Sequence, residues 1–305
     1  MIKKSEPNEE QKEKVHNFWD AGSCGTHAAR AEKHTLEYYE EIEAFRYFQE
    51  PFIHEFAQFS RYRGKKVVEI GYGAGTDFTQ WLRVGAKATG LDLTNEAYEN
   101  LKKRIEVYDL PEPEEIRVGD AENLPFEENT FDLGYSFGVL HHSPNTEKAI
   151  EELLKVIKPG GEIKIMVYNR RSMMAIKTWV KHAFCKGRPW KGLGWAMWNH
   201  VESSGTKGYT GNELAQIFTK LPVEEITIHN YVTNADYMAF SAFKPLNLLM
   251  RAIIACAGYR RPWRRENYMF SDPKQRENIA RSRSEVVYTG SPLGFFTCLS
   301  ARKKH

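Results

Sequence analysis

The 305 residues carry 41% hydrophobic and 27% charged side chains and a net charge of +3, enough chain for one large domain or one domain with a sizeable insertion. A charge so near neutral argues against a nucleic-acid partner. The opening "MIKKSEPNEEQKEK" has no apolar core, and the longest apolar run, 245–258, is short of the ~20 residues that span a bilayer, so a cytoplasmic location is expected.

Residues 1–14 are polar and are expected to fray. From 15 to 63 the pattern is helical and aromatic, broken at "AGSCGT" and before Pro51. Strands are then predicted at "KVVEI" (66–70), "KATGLDL" (87–93), "EIRVGD" (115–120), "FDLGYSF" (131–137) and "EIKIMVYN" (162–169). Helices are predicted between them, in "GTDFTQWLRVG", "NEAYENLKKRIEVYD" and "TEKAIEELLKVIKPGG". After Asn169 the rhythm is lost until Thr210 and Glu213, whose capping-box spacing predicts a helix from about Gly211. "VEEITIHNY" (223–231) and "GFFTCLSARK" (294–303) read as the last two strands. The roughly 60 residues between those two are too many for a hairpin loop and predict an inserted helical subdomain.

Strands alternating with helices predict an α/β, doubly wound, mostly parallel sheet of seven strands, with ligands beyond the strands' carboxyl ends. The expected organisation is an N-terminal helical lid (1–45), a core (46–231), the insertion (232–293) and a final core strand and tail (294–305). Cys24, Cys185, Cys256 and Cys298 are far apart and form no CxxC pair, so reduced thiols and no metal site are expected.

The run Gly71-Tyr72-Gly73-Ala74-Gly75 follows the first strand, and Glu69 precedes it. A dinucleotide turn has G-x-G-x-x-G spacing, whereas here the third glycine comes one residue early. Asp92 ends the second strand, where a carboxylate can accept hydrogen bonds from both ribose hydroxyls of an adenosine. That position suits NAD and S-adenosylmethionine (SAM) alike. "VGDAENLPFEENTFDLGYSFGVLHH" and "VIKPGGEIKIM" then follow in order.

With E-x-G-x-G-x-G, these segments resemble class I SAM-dependent methyltransferases of the ubiquinone/menaquinone-biosynthesis type, the methyltransferase-11 group. The resemblance covers about 45–170 and implies the Rossmann-like methyltransferase fold, SAM as cofactor and S-adenosylhomocysteine as its product. It places Gly71 and Gly73 at the methionine carboxylate and ribose, with Tyr72 and Gly75 also binding the cofactor, Asp92 on the ribose diol and Leu93 on the adenine. It puts Asp120 and Ala121 at the adenine edge, Ser136 and Phe137 beside the methionine part, and His141 among the cofactor-binding residues. Glu69 would orient the loop or the cofactor's ammonium.

In-line methyl transfer needs proximity and dryness, which can supply roughly 7–11 kcal/mol, so a base is optional. His142, past the fourth strand, is the candidate acid/base. Trp19, Cys24, Tyr168, Asn169 and His200 are candidates for the acceptor pocket, with Phe18 and Trp19 as apolar cover in the lid. The tryptophan-rich 177–200 segment and the apolar 244–265 segment with its terminal arginines fit a small apolar or aromatic acceptor, methylated on O or N. An alternative is a lipid or membrane-associated acceptor, with peripheral membrane contact through 244–265. A nicotinamide oxidoreductase is a further alternative, which a thermal shift with NAD would reveal.

Overall fold

The computed structural model describes residues 7–233 and 286–305, and between them Asp236, Pro245, Leu248, Leu249, Ala252 and Ile253. The expected insertion and the 244–265 segment lie largely outside the described residues. The buried β-branched run at 66–70 is strand β1 (Lys66–Ile70). Around it lie β2 (Lys87–Asp92), β3 (Glu115–Val118), β4 (Phe131–Phe137) and β5 (Ile157–Tyr168). The sheet is completed by β6 (Val223–Tyr231), β7 (Val287–Gly290) and β8 (Phe296–Lys303). Their order is β3-β2-β1-β4-β5-β8-β6-β7, and only β8 runs antiparallel to its neighbours.

The sheet therefore has eight strands where seven were expected. The extra one is β7, four residues paired parallel to the edge of β6 inside the stretch assigned to the insertion. It is half exposed, so it lacks the buried alternation that marks a strand in sequence. The fifth strand also begins earlier than predicted. Phe131 pairs with Ile157 and Leu133 with Glu162, so Lys158–Gly161 bulges out of the ladder and the strand starts before the two glycines.

Nine α-helices lie among the described residues: α1 (Pro7–Asp20), α2 (Leu36–Gln49), α3 (Ile53–Ala57), α4 (Thr76–Arg83), α5 (Asn95–Val107), α6 (Thr146–Val156), α7 (Met173–His182), α8 (Leu193–His200) and α9 (Gly211–Phe218). Successive side chains of β1 point to opposite faces, and two cores follow. Val67 packs with Trp81, Leu101, Phe59 and Tyr135 under α3–α5. Val68 packs with Ile150, Leu153, Leu214 and Phe218 under α6 and α9. The predicted capping box at Thr210 and Glu213 is present, and α9 starts at Gly211.

Two stretches differ from expectation. Residues 7–14 are helical, because α1 is held down at Lys12 by Asp120 and Glu122. The 170–200 region, read as patternless, holds α7 and α8, with Ser172 capping α7 by accepting from Ala175 N–H. No helix of the described residues is long and apolar enough to cross a membrane.

Candidate functional site

The carboxyl ends of β1, β2, β4 and β5 face one cavity, roofed by the first two helices of the chain. Its floor is the glycine turn. Gly71, Gly73 and Gly75 all have left-handed backbone, with φ of 78°, 52° and 76°. A Cβ at Gly71 would overlap Val139, so this glycine lets the turn close on the β4 loop. A Cβ at Gly73 would meet nothing within 4 Å, because that Cα faces the cavity. Gly75, at the N-cap of α4 and expected among the cofactor contacts, instead lies against Leu101 of α5 and does not border the cavity.

These differences separate two substitutions. Gly71→Ala is expected to destabilise the fold by about 2 kcal/mol or more, from left-handed strain plus overlap. Gly73→Ala carries only the backbone strain but puts a methyl group into the cavity. It should melt within a few degrees of wild type yet bind S-adenosylhomocysteine at least tenfold more weakly by calorimetry.

Asp92 fastens the turn to β2. Its Oδ2 accepts from Gly73 N–H at 2.9 Å, and its Oδ1 accepts from Thr94 N–H and Oγ1 at 3.1 Å each. Burial nevertheless raises its pKa, against those hydrogen bonds. Glu69 is buried and accepts from Trp81 Nε1 at 2.7 Å; burial, with the charge of Asp77 added, holds its carboxyl well above the usual range. Leu93, Asp120 and Ala121 line the same end, and Asp120 Oδ2 stands 2.6 Å from Lys12 Nζ.

Sequence reasoning missed the ionic hub beside the turn. Arg46 from α2 forks onto Asp77, Nε to Oδ1 at 3.2 Å and Nη2 to Oδ2 at 2.8 Å. Tyr47 and Tyr135 hydroxyls also donate to Asp77, at 3.2 and 3.0 Å. Arg46 Nη1 lies 3.0 Å from Glu50 Oε2. Burial raises Glu50 from its ordinary 4.5 to about 7, against the pull of Arg46. The only signal in sequence was Asp77 in the first turn of a helix; nothing links it to residue 46.

Glu50 gives the protein a pH dependence. Below about pH 4.5 it is protonated whether folded or unfolded. Between there and its folded pKa of about 7, only the unfolded chain releases the proton. The folded state then holds one proton more and loses stability as pH rises, by an amount of order 3 kcal/mol across the window. Urea unfolding at pH 5, 6 and 7.5 should show this loss, and Glu50→Gln should flatten it.

The cavity's other end is apolar and aromatic. Val15 and Trp19 descend from α1, and Phe137, Val139, Leu140, Met166 and Tyr168 rise from the strand ends. Cys24 also borders it. Its surface opens into the cavity, but the enclosing walls and the charge of Glu202 push its thiol up to about 12, which leaves it a poor nucleophile. Phe18, expected as cover, is 44% exposed, edge-on to Trp19.

His142 lines the cavity and is buried. Its Nδ1 lies 2.9 Å from Ser203 Oγ and 3.1 Å from Thr206 Oγ1. Its Nε2 lies 3.2 Å from Glu202 Oε2, and Tyr168 Oη donates to Glu202 Oε1 at 2.9 Å. Glu202 was not foreseen, being sixty positions away in a loop without pattern.

Four other candidates do not reach the cavity. Ser136 is buried, donating to the Ile70 carbonyl at 2.9 Å to tie β4 to β1. His141 is fully buried behind His142. Asn169 is buried and donates to the carbonyls of Pro292 and Gly294, pinning the approach to β8. His200 is exposed at the end of α8, stacked on His182.

A cavity at the carboxyl edge of a doubly wound sheet, floored by a glycine turn and with an acid at the end of β2, is the arrangement of a Rossmann-like methyltransferase fold. Residues 68–165 match the methyltransferase-domain family (methyltransferase 11). Among curated relatives, a demethylmenaquinone methyltransferase of Desulfitobacterium hafniense is 29% identical over 47% of this chain and 58% of its own length. A phthiotriol/phenolphthiotriol dimycocerosates methyltransferase of Mycobacterium tuberculosis is 36% identical over 32% of this chain and 36% of its own. The chain thus spans from about a third to just over half of the relatives it matches. A solved structure of Haemonchus contortus phosphoethanolamine N-methyltransferase 2 in complex with S-adenosyl-L-methionine aligns with TM-score 0.52 at 17% identity, covering 88% of this chain and 58% of that one. At that identity the likeness is one of fold.

Proposed function

We propose that the protein transfers a methyl group from SAM to an oxygen or nitrogen of a small, mainly apolar acceptor. The observation that carries this is the two-ended character of one cavity. Five carboxylates line it (Glu50, Glu69, Asp77, Asp92 and Asp120) against two fixed cations, Lys12 and Arg46, and burial raises the pKa of three of the five. Such a wall favours a ligand that brings its own positive charge and hydroxyl donors. SAM carries both, whereas a dinucleotide brings a pyrophosphate that these carboxylates would repel.

Bound SAM supplies an electrophilic methyl group on a sulfonium sulfur. Asp92 would hold the ribose diol and Asp120 the adenine edge. The open face at Gly73 admits the amino-acid part, with Glu69 and Asp77 near its ammonium. Trp19, Phe137, Met166 and Tyr168 keep water from the reacting end and offer apolar contact to the acceptor. Relatives named as methyltransferases of demethylmenaquinone and of phthiotriol/phenolphthiotriol dimycocerosates support an apolar, oxygen-bearing acceptor. A lipid remains within this reading; the acceptor's size sets the difference.

Tritiated methyl from SAM should pass to a member of a panel of hydroxylated quinols, phenols and lipid alcohols, and S-adenosylhomocysteine should raise the melting temperature. Stabilisation by NAD but not by S-adenosylhomocysteine would overturn the assignment.

A further inference from the structure

His141 is a histidine without a partner. It is fully buried, and neither Nδ1 nor Nε2 has a hydrogen bond. Leaving buried polar atoms unpaired costs about 1–3 kcal/mol each, so an orphan of this kind calls for a missing ligand. Beside it, His142 Nε2 and Glu202 Oε2 stand 3.2 Å apart, yet no hydrogen bond joins them. The three side chains place one ligating atom each within 4.8 Å of one another. Atoms so spaced share a point no more than about 2.8 Å from each, so an inward shift of under ~1 Å reaches zinc–nitrogen and zinc–oxygen bond lengths.

The surroundings are those of a metal's supporting shell. His142 uses its other nitrogen, Nδ1, toward Ser203 and Thr206; with the proton on Nδ1, Nε2 presents its lone pair to a metal. Glu202 uses its other oxygen, Oε1, to accept from Tyr168. Glu202 also sits at φ 52°, a left-handed backbone uncommon outside glycine and often found where function imposes it.

We propose that His141, His142 and Glu202 form a binding site for one divalent transition cation of the zinc class. Two imidazoles and one carboxylate are a ligand set that leaves coordination positions open. His142 borders the main cavity and Glu202 the adjoining pocket by Trp19 and Cys24, so the cation lies where the two meet. Its open positions take a hydroxyl or carboxylate oxygen of a second ligand. The site stands whether or not a methyl group is transferred.

Cobalt(II) is the probe, added to tag-free, full-length protein stripped with a chelator. The expected result is a visible d–d band that saturates at one equivalent and is bleached by zinc. Glu202→Gln, isosteric and partly exposed, and His141→Asn should each weaken cobalt binding at least tenfold, with circular dichroism confirming a folded chain. A wild-type protein without a saturable band, or a band of unchanged affinity in a folded Glu202→Gln protein, would overturn the site. Cobalt binding needs no SAM, and S-adenosylhomocysteine calorimetry needs no metal, so each reading can fail alone.

Discussion

Asp92→Ala is expected to weaken S-adenosylhomocysteine binding by about a hundredfold or more, read by calorimetry on the full chain. Hydrogen bonds to a charged group contribute roughly 1.5–3 kcal/mol each, and two ribose hydroxyls meet this carboxylate in the proposed complex. A second loss comes from the turn. Asp92 accepts from Gly73 N–H, so its removal frees the residue whose open face admits the ligand. Asp92→Asn keeps the shape and one carbonyl oxygen, and should fall between the two, about tenfold weaker than wild type. An alanine variant that stays folded and binds within about threefold of wild type would remove Asp92 from the ribose.

β1, β2 and β4 were legible because each is short, buried and punctuated. β1 and β4 match their predicted bounds, since Lys66 and Ile70 bracket a fully apolar run apart from Glu69, and "FDLGYSF" is bounded by polar loop. α7 and α8 were not legible. In α8 the apolar and aromatic side chains are spread around the helix rather than striped, so no 3.6-residue period announced it. β7 failed for the opposite reason: it is an exposed edge with no inside face to mark it.

The site divides in the same way. One end of the cavity lies on consecutive turns of one βαβ rhythm, so glycines and acids appear in sequence in the order in which they line it. The contacts that close the cavity are assembled from distant pieces. Glu202 reaches His142 from across a loop, Arg46 reaches Asp77 from a helix before the core, and Lys12 reaches Asp120 over a hundred positions. Nothing in the local spacing of any of these residues encodes its partner. Only the fold brings them together, and this is why His142 was found in sequence and Glu202 was not.

Arg46→Ala should be the most destabilising single change in the roof, by about 3–5 kcal/mol, because it leaves a buried charge without its partner. Asp77 is 2% exposed in its side chain and would keep only the Tyr47 and Tyr135 hydroxyls, with Glu50 still nearby. For a chain of this size that is a fall of roughly 5–8 °C in melting temperature. The guanidinium also lies 4.9 Å over the Phe137 ring, so its loss loosens a wall of the cavity as well. Arg46→Lys retains the charge but not the two-pronged contact and should recover about half of the loss. The Arg46→Met, Asp77→Asn double variant removes both charges together. It should be more stable than the sum of the single variants predicts, with a coupling of about 2 kcal/mol or more. Additive single effects, or an alanine variant within 1 kcal/mol of wild type by urea unfolding, would mean that the pair is incidental to the fold; non-additivity would identify this ion pair as the contact that holds α2 over the cofactor cavity.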